Sequence, residues 1–171
     1  MMNRIQACLL VMTLSLTLVT ACGDNKTNNT PAPRPTKAVA RLAATGSFGP
    51  GRLIGGIIVT VVLPAGVRIK ATPDTRNTSL LVSDQGVVTA SGVTGANAAA
   101  FATVDQTDRK VQIQVYDQNG FGIGEFVTVT CDVASGTALT ADKFGLEGFN
   151  AKDLNGADIN GLTAGLTVVL Q

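Results

Sequence analysis

Few side chains in this sequence are equipped to do chemistry. There is no histidine among its 171 residues. Ser-His-Asp and Cys-His catalysis, histidine-ligated zinc and c-type haem attachment are therefore excluded. Aspartates and glutamates are scattered through several loops. Glycoside hydrolysis would need two of them at a set separation in space, and the sequence singles out no pair. The densest run of oxygen ligands is Asp153-Leu154-Asn155-Gly156-Ala157-Asp158-Ile159-Asn160-Gly161. Calcium takes six to eight oxygens, and an EF-hand loop has its glycine sixth and a bidentate glutamate at its end. Here the glycine is fourth and no glutamate follows, while an Asn155-Gly156 turn explains the run without an ion. Asp153, Asn155 and Asp158 are thus weak calcium candidates, and the expectation is that no metal binds. Gly120-Phe121-Gly122-Ile123-Gly124 has the glycine density of a phosphate-binding loop. Such loops lead into a helix whose amino end meets the phosphate, and here a strand follows, so a glycine-rich connection is expected.

Three cysteines remain, Cys8, Cys22 and Cys131. A basic start (Arg4) is followed by an apolar run from Ala7 to Val19, well short of the ~20 apolar residues that a membrane-spanning helix needs. Val19-Thr20-Ala21-Cys22 then resembles the lipobox of bacterial lipoprotein precursors. The resemblance implies that residues 1–21 are a signal peptide cut before Cys22. It also implies that Cys22 carries a diacylglyceryl thioether and that the new amino terminus is acylated with a fatty chain such as palmitate. No cofactor is expected beyond these chains. Each buried methylene contributes ~0.8 kcal/mol, so the anchor would be effectively permanent. Gly23 lacks the aspartate that commonly retains lipoproteins at the inner membrane, which favours the outer one. With Cys8 removed and Cys22 lipidated, Cys131 has no disulfide partner and is expected to be a buried, inert thiol.

Removing residues 1–21 takes away Arg4 and no acid, so the 13 basic side chains become 12 against 12 acidic ones. A neutral chain without a basic block argues against nucleic-acid partners. Residues 22–37 hold Pro31, Pro33, Pro35 and several asparagines with almost nothing apolar, the composition of a disordered tether. Fully extended, it would reach at most about 50 Å. Residues 38–171 are sufficient for one domain with a real core.

That domain reads as short β-rich runs punctuated by Gly, Pro, Asn and Asp. Val39–Phe48 and Leu53–Leu63 come first. The second is apolar on both faces except at Thr60, as in a strand buried on both sides or one with an apolar outer face. Val67 and Ile69 alternate with Arg68 and Lys70, and shorter strands are expected at Leu80–Val82 and Val87–Ala90. Ala98–Val104 and Lys110–Tyr116 form a predicted hairpin, with Val111, Ile113 and Val115 inward and Gln112, Gln114 and Tyr116 outward. Asp117–Gly124 is predicted to turn the chain. In Glu125–Val133, strict alternation puts Val127, Val129, Cys131 and Val133 inside and Phe126, Thr128, Thr130 and Asp132 outside. Phe144–Phe149 is a short strand expected to pair with the segment after the Asn155-Gly156 turn. Leu162–Leu170 closes the chain with Leu162, Leu166, Val168 and Leu170 on one face. Eight or nine strands at intervals of about ten residues predict an all-β fold, a two-sheet antiparallel β-sandwich.

Taken together, Ile57–Leu63 with Pro64-Ala65-Gly66-Val67, then Lys110–Tyr116, then Gly124 with Glu125–Val133 resemble a cohesin-type domain. The resemblance covers about Val39 to Leu170 and implies a jelly-roll-like sandwich that adheres to another protein and catalyses nothing. It carries no partner-contact residue onto this sequence. The expected function is a non-enzymatic, lipid-anchored envelope protein that binds a protein partner or serves a structural role. The alternative is a carbohydrate-binding module acting on a surface polysaccharide. Sugar platforms are usually flat aromatic rings; tryptophan is absent, and Tyr116 and Phe126, read as outward, are the available patch.

Overall fold

A computed structural model describes residues 34–70, 72–73, 80–82, 87–105, 107 and 109–171. The expected signal peptide, the expected lipidation position Cys22 and most of the expected tether lie outside the described residues. Alternating side chains and frequent turn residues yield eleven strands among the described residues, more than the eight or nine expected. They are β1 Lys37–Gly46, β2 Ile54–Val62, β3 Val67–Arg68, β4 Thr72–Pro73, β5 Leu80–Val82, β6 Val88–Ala90, β7 Ala99–Asp105, β8 Lys110–Phe121, β9 Gly124–Val133, β10 Gly145–Asp153 and β11 Leu162–Leu170. The surplus comes from pieces of two or three residues. Lys37, which composition places in the tether, is already the first residue of β1.

All pairings are antiparallel, and the strands form two sheets. One runs β11-β1-β9, with β3 and β6 both on the far side of β9; the other runs β10-β2-β8-β7-β5-β4. The fold is a two-sheet β-sandwich, as its periodicity requires. Ala38, Ala40, Leu42 and Ala44 of β1 join Val127, Val129 and Cys131 of β9 on one inner face. Ile57, Val59 and Val61 of β2 and Val111, Ile113 and Val115 of β8 supply the other, all at most 1% exposed. Burying one such aliphatic side chain contributes about 1.5–3 kcal/mol. β2 has one packed face and one apolar, half-buried face carrying Ile58 and Val62.

Three expectations are corrected. Phe126 is not outward; it is fully buried. Leu42 pairs with Val127 while Ala43 pairs with Glu125, so Phe126 is the extra residue of a β-bulge. A bulge breaks period-two alternation and lets two successive side chains, here Phe126 and Val127, enter the core. Asp117–Phe121 is not a turn but the continuation of β8, whose Phe121 pairs with Ile54. Finally, β10 does not pair with the strand after Asn155-Gly156. It pairs with β2, and β11 belongs to the other sheet beside β1; across that turn only a single bridge, Lys152 to Asp158, forms.

Candidate functional site

The described carboxylates are occupied by donors. Asp153 Oδ1 accepts from the backbone N–H of Asn155 (2.9 Å) and Ala157 (3.0 Å), and its Oδ2 accepts from Arg52 (2.7 Å). The Arg52 bond, then the Ala157 and Asn155 amides, hold its carboxyl below the ordinary 3.8. Asp158 Oδ1 accepts from Lys152 Nζ (2.8 Å) and Asn150 Nδ2 (3.2 Å), which lowers it likewise. The backbone of Asn155, the third calcium candidate, serves this Asx-turn. These oxygens face N–H groups and cations, where a calcium cage would point them at one centre. Among the described residues no three His, Cys, Asp or Glu side chains come together as a metal site.

The remaining acids follow the same pattern. Glu125 takes the Ser91 hydroxyl (2.8 Å) and lies 3.7 Å from Arg41, Glu147 pairs with Lys110 (3.0 Å), and Asp132 pairs with Lys37. Asp117 is 2% exposed. Its Oδ2 accepts from Gly95 N–H (2.8 Å) and its Oδ1 from Asn119 N–H (2.9 Å), which ties the 91–98 loop to β8. Cys131 is fully buried and free, and burial, with a smaller push from Asp132, raises its thiol to about 12. A thiol held protonated in an apolar layer is no nucleophile.

The surface that meets solvent with definite chemistry is the outer side of the six-stranded sheet. Register aligns Lys152, Gly56, Tyr116 and Ala99 in one row across β10, β2, β8 and β7, and Asn150, Ile58, Gln114 and Phe101 in the next. Thr60, Gln112 and Thr103 form a third row. Phe101 is 57% exposed and Tyr116 46%. The two rings are diagonal cross-strand neighbours, within reach of one another. Along β8 the Tyr116 hydroxyl donates to Gln114 Oε1 (3.0 Å) and Gln114 Nε2 to Gln112 Oε1 (3.4 Å), which fixes the amides in a row. Charge lies at the rim, in Asp105 at the end of β7 and in the Lys110–Glu147 and Lys152–Asp158 pairs.

At one end this face deepens into a cleft of about 580 Å³ lined by Gly55, Gly56, Ile58, Tyr116, Asn150 and Leu154, among others. Glycine at position 56 lets the Tyr116 ring lie close over β2: a Cβ there would sit 3.0 Å from Tyr116 Cδ1 and would push the ring outward by a few tenths of an ångström.

No protein-family model matches the sequence, and no curated protein does. Among solved structures, the chain is similar to a non-cellulosomal cohesin from the hyperthermophilic archaeon Archaeoglobus fulgidus, with 13% identity over 75% of each chain and a TM-score of 0.47.

The outward reading of Gln112, Gln114 and Tyr116 matches the structure, whereas Phe126 is absent from the patch and Phe101 takes its place. Phe101 is legible in principle. Pairing Val104 with Val111 across the hairpin puts Ala100, Ala102 and Val104 inside and Phe101 and Thr103 outside. Asp117 gives no sequence signal, because its partner Gly95 lies in a separate loop.

Proposed function

We propose that this chain is a non-catalytic, lipid-anchored envelope protein that docks another protein on the outer face of its six-stranded sheet. The observation that carries this is the exposed Phe101–Tyr116 pair on a flat four-strand surface, ringed by ordered glutamines, with charge only at its edge. Rigid aromatic rings bury much area at little cost in side-chain entropy, and interface cores are depleted of charge. The complementary partner presents an uncharged surface with apolar groups for the rings and backbone or amide groups for Gln112 and Gln114. Cys22 tethers the domain to the lipid, at the outer membrane.

A photo-crosslinking residue placed at Gln112 in the full chain is expected to capture a discrete partner in intact envelopes. The same residue at Thr130, on the opposite sheet, captures none. Replacing Phe101 and Tyr116 together by alanine abolishes the capture. Adducts of equal yield from both faces would refute the docking surface. Cys22→Ser releases the protein from membranes, and unchanged fractionation would refute the anchor.

A second reading rests on the cleft, where an apolar floor, the Tyr116 ring and the polar groups of Asn150 and Lys152 suit a sugar ring. Glycan-array binding lost in Tyr116→Ala would favour it over protein docking.

A further inference from the structure

A different part of the surface is open to backbone pairing. The outer edge of β11 is the one long strand edge among the described residues that lacks charge, proline and bulge. β10, the edge of the other sheet, is interrupted by a register shift at Gly148, which has φ 60°, and carries Glu147, Lys152 and Asp153. The edges at β3, β4 and β6 are two or three residues long. β11 instead reads Leu-Thr-Ala-Gly-Leu-Thr-Val-Val-Leu and pairs with β1 over nine consecutive positions without a shift. Natural sheets blunt such edges, because a row of free N–H and C=O groups is a template for another strand.

The hydrogen-bond phase shows which groups are free. Gln171 exchanges both backbone bonds with Lys37 (2.9 and 3.0 Å), so odd-numbered residues of this strand point their backbone at β1. Leu162, Ala164, Leu166, Val168 and Leu170 therefore present theirs to the open edge, and no backbone bond to them comes from any other described residue. These five residues each offer one N–H and one C=O. The same five side chains lie on the inner side, buried or half-buried.

We infer that β11 pairs with β11 of a second copy of this chain, antiparallel about a two-fold axis at Leu166. In that register Leu166 meets Leu166, Ala164 meets Val168 and Leu162 meets Leu170. Each is a hydrogen-bonded pair, and all ten free groups of each copy are satisfied. Because antiparallel pairing preserves faces, apolar side chains meet apolar ones. The groove of about 550 Å³ lined by Asp142, Phe144, Leu146, Leu166, Thr167 and Val168, among others, lies beside the edge and receives the second copy's Leu166. The strand itself carries no charge, and the charges beside it, Asp142 and Lys143 on the 3-10 turn Ala141–Lys143 that packs against β11, are of opposite sign and lie 3.8 Å apart. The outer face of the six-stranded sheet stays open, so the dimer and the docking surface are independent.

The register makes the test specific. On the outer side, Gly165 of one copy sits opposite Thr167 of the other, and a Cβ at Gly165 makes only ordinary contacts, at 3.8 Å. In membranes holding the full chain, the Gly165→Cys/Thr167→Cys double variant is expected to give a disulfide-linked dimer under mild oxidation. Co-expressed single variants give it too, whereas either single variant alone gives no more than the parent. Thr167→Lys, an exposed change that brings two ammonium groups near the axis, should weaken association roughly tenfold by light scattering of the purified chain. Absence of the dimer in the double variant, equal cross-linking in the single variants, or adducts to a different protein would each overturn the proposal. So would a Thr167→Lys chain that associates as well as the parent.

Discussion

Phe126→Ala separates the bulged strand from a regularly alternating one. Phe126 is fully buried between the sheets, whereas plain alternation along β9 would leave it as exposed as Phe101. Truncating a buried phenylalanine removes its transfer free energy and leaves a cavity, a loss of about 3–5 kcal/mol. For a domain of this size each kcal/mol lowers the melting temperature by roughly 2–6 °C, so a fall of about 6–30 °C is expected. Phe101→Ala is the internal control: the same atoms are removed from a surface ring, and stability should change by no more than about 0.5 kcal/mol. Urea unfolding followed by circular dichroism measures both variants against the parent. A loss below about 1 kcal/mol for Phe126→Ala, or equal losses for the two, would refute the bulge and the core built around it.

Asp117→Ala strands the N–H groups of Gly95 and Asn119 and should cost about 2–4 kcal/mol, with faster amide exchange at Gly95; Asp117→Asn, which keeps one acceptor oxygen, should cost less. At pH 8 Cys131 in the folded protein should react with maleimide roughly a thousandfold more slowly than a free thiol, recovering full reactivity in denaturant, and mass spectrometry reads the difference. Asp153 and Asp158 have lowered folded pKa values, so the stability they contribute is present above their ordinary 3.8 and is lost as pH falls through the folded values. Arg52→Gln should therefore lower the melting temperature at pH 7, and its effect should shrink as pH falls through the folded value of Asp153, which lies below 3.8.

Much of the fold can be read in the sequence because alternation encodes which side of a strand faces the core. Val111, Ile113 and Val115 against Gln112, Gln114 and Tyr116 give both the buried and the exposed side of β8, and short polar spacers give the β7–β8 hairpin. The neighbour of a strand is not encoded in alternation. β10 joins β2 across some ninety residues of chain, a choice made by the assembled sheet edge and by no local signal. Nor does alternation survive an inserted residue, which is why it puts Phe126 on the wrong side. The candidate surface shares this division. Its glutamines and Tyr116 come from one strand's pattern, Phe101 emerges once the hairpin register is worked out, and the cleft depends on Gly56 meeting Tyr116 from the adjacent strand.

The way β1 is seated has a mechanical consequence. It lies between β9 and β11, and the chain is stitched in before the strand begins: Thr36 N–H bonds Gln171 (2.7 Å) and its carbonyl accepts from Val133 N–H (2.9 Å). A pull applied at residue 36 along the strand direction loads two ladders at once in shear, so they must fail together and not rung by rung. A domain grasped there resists extraction far better than one grasped at a hairpin, and a load placed on the opposite sheet is transmitted to the holding point through the strands best able to bear it.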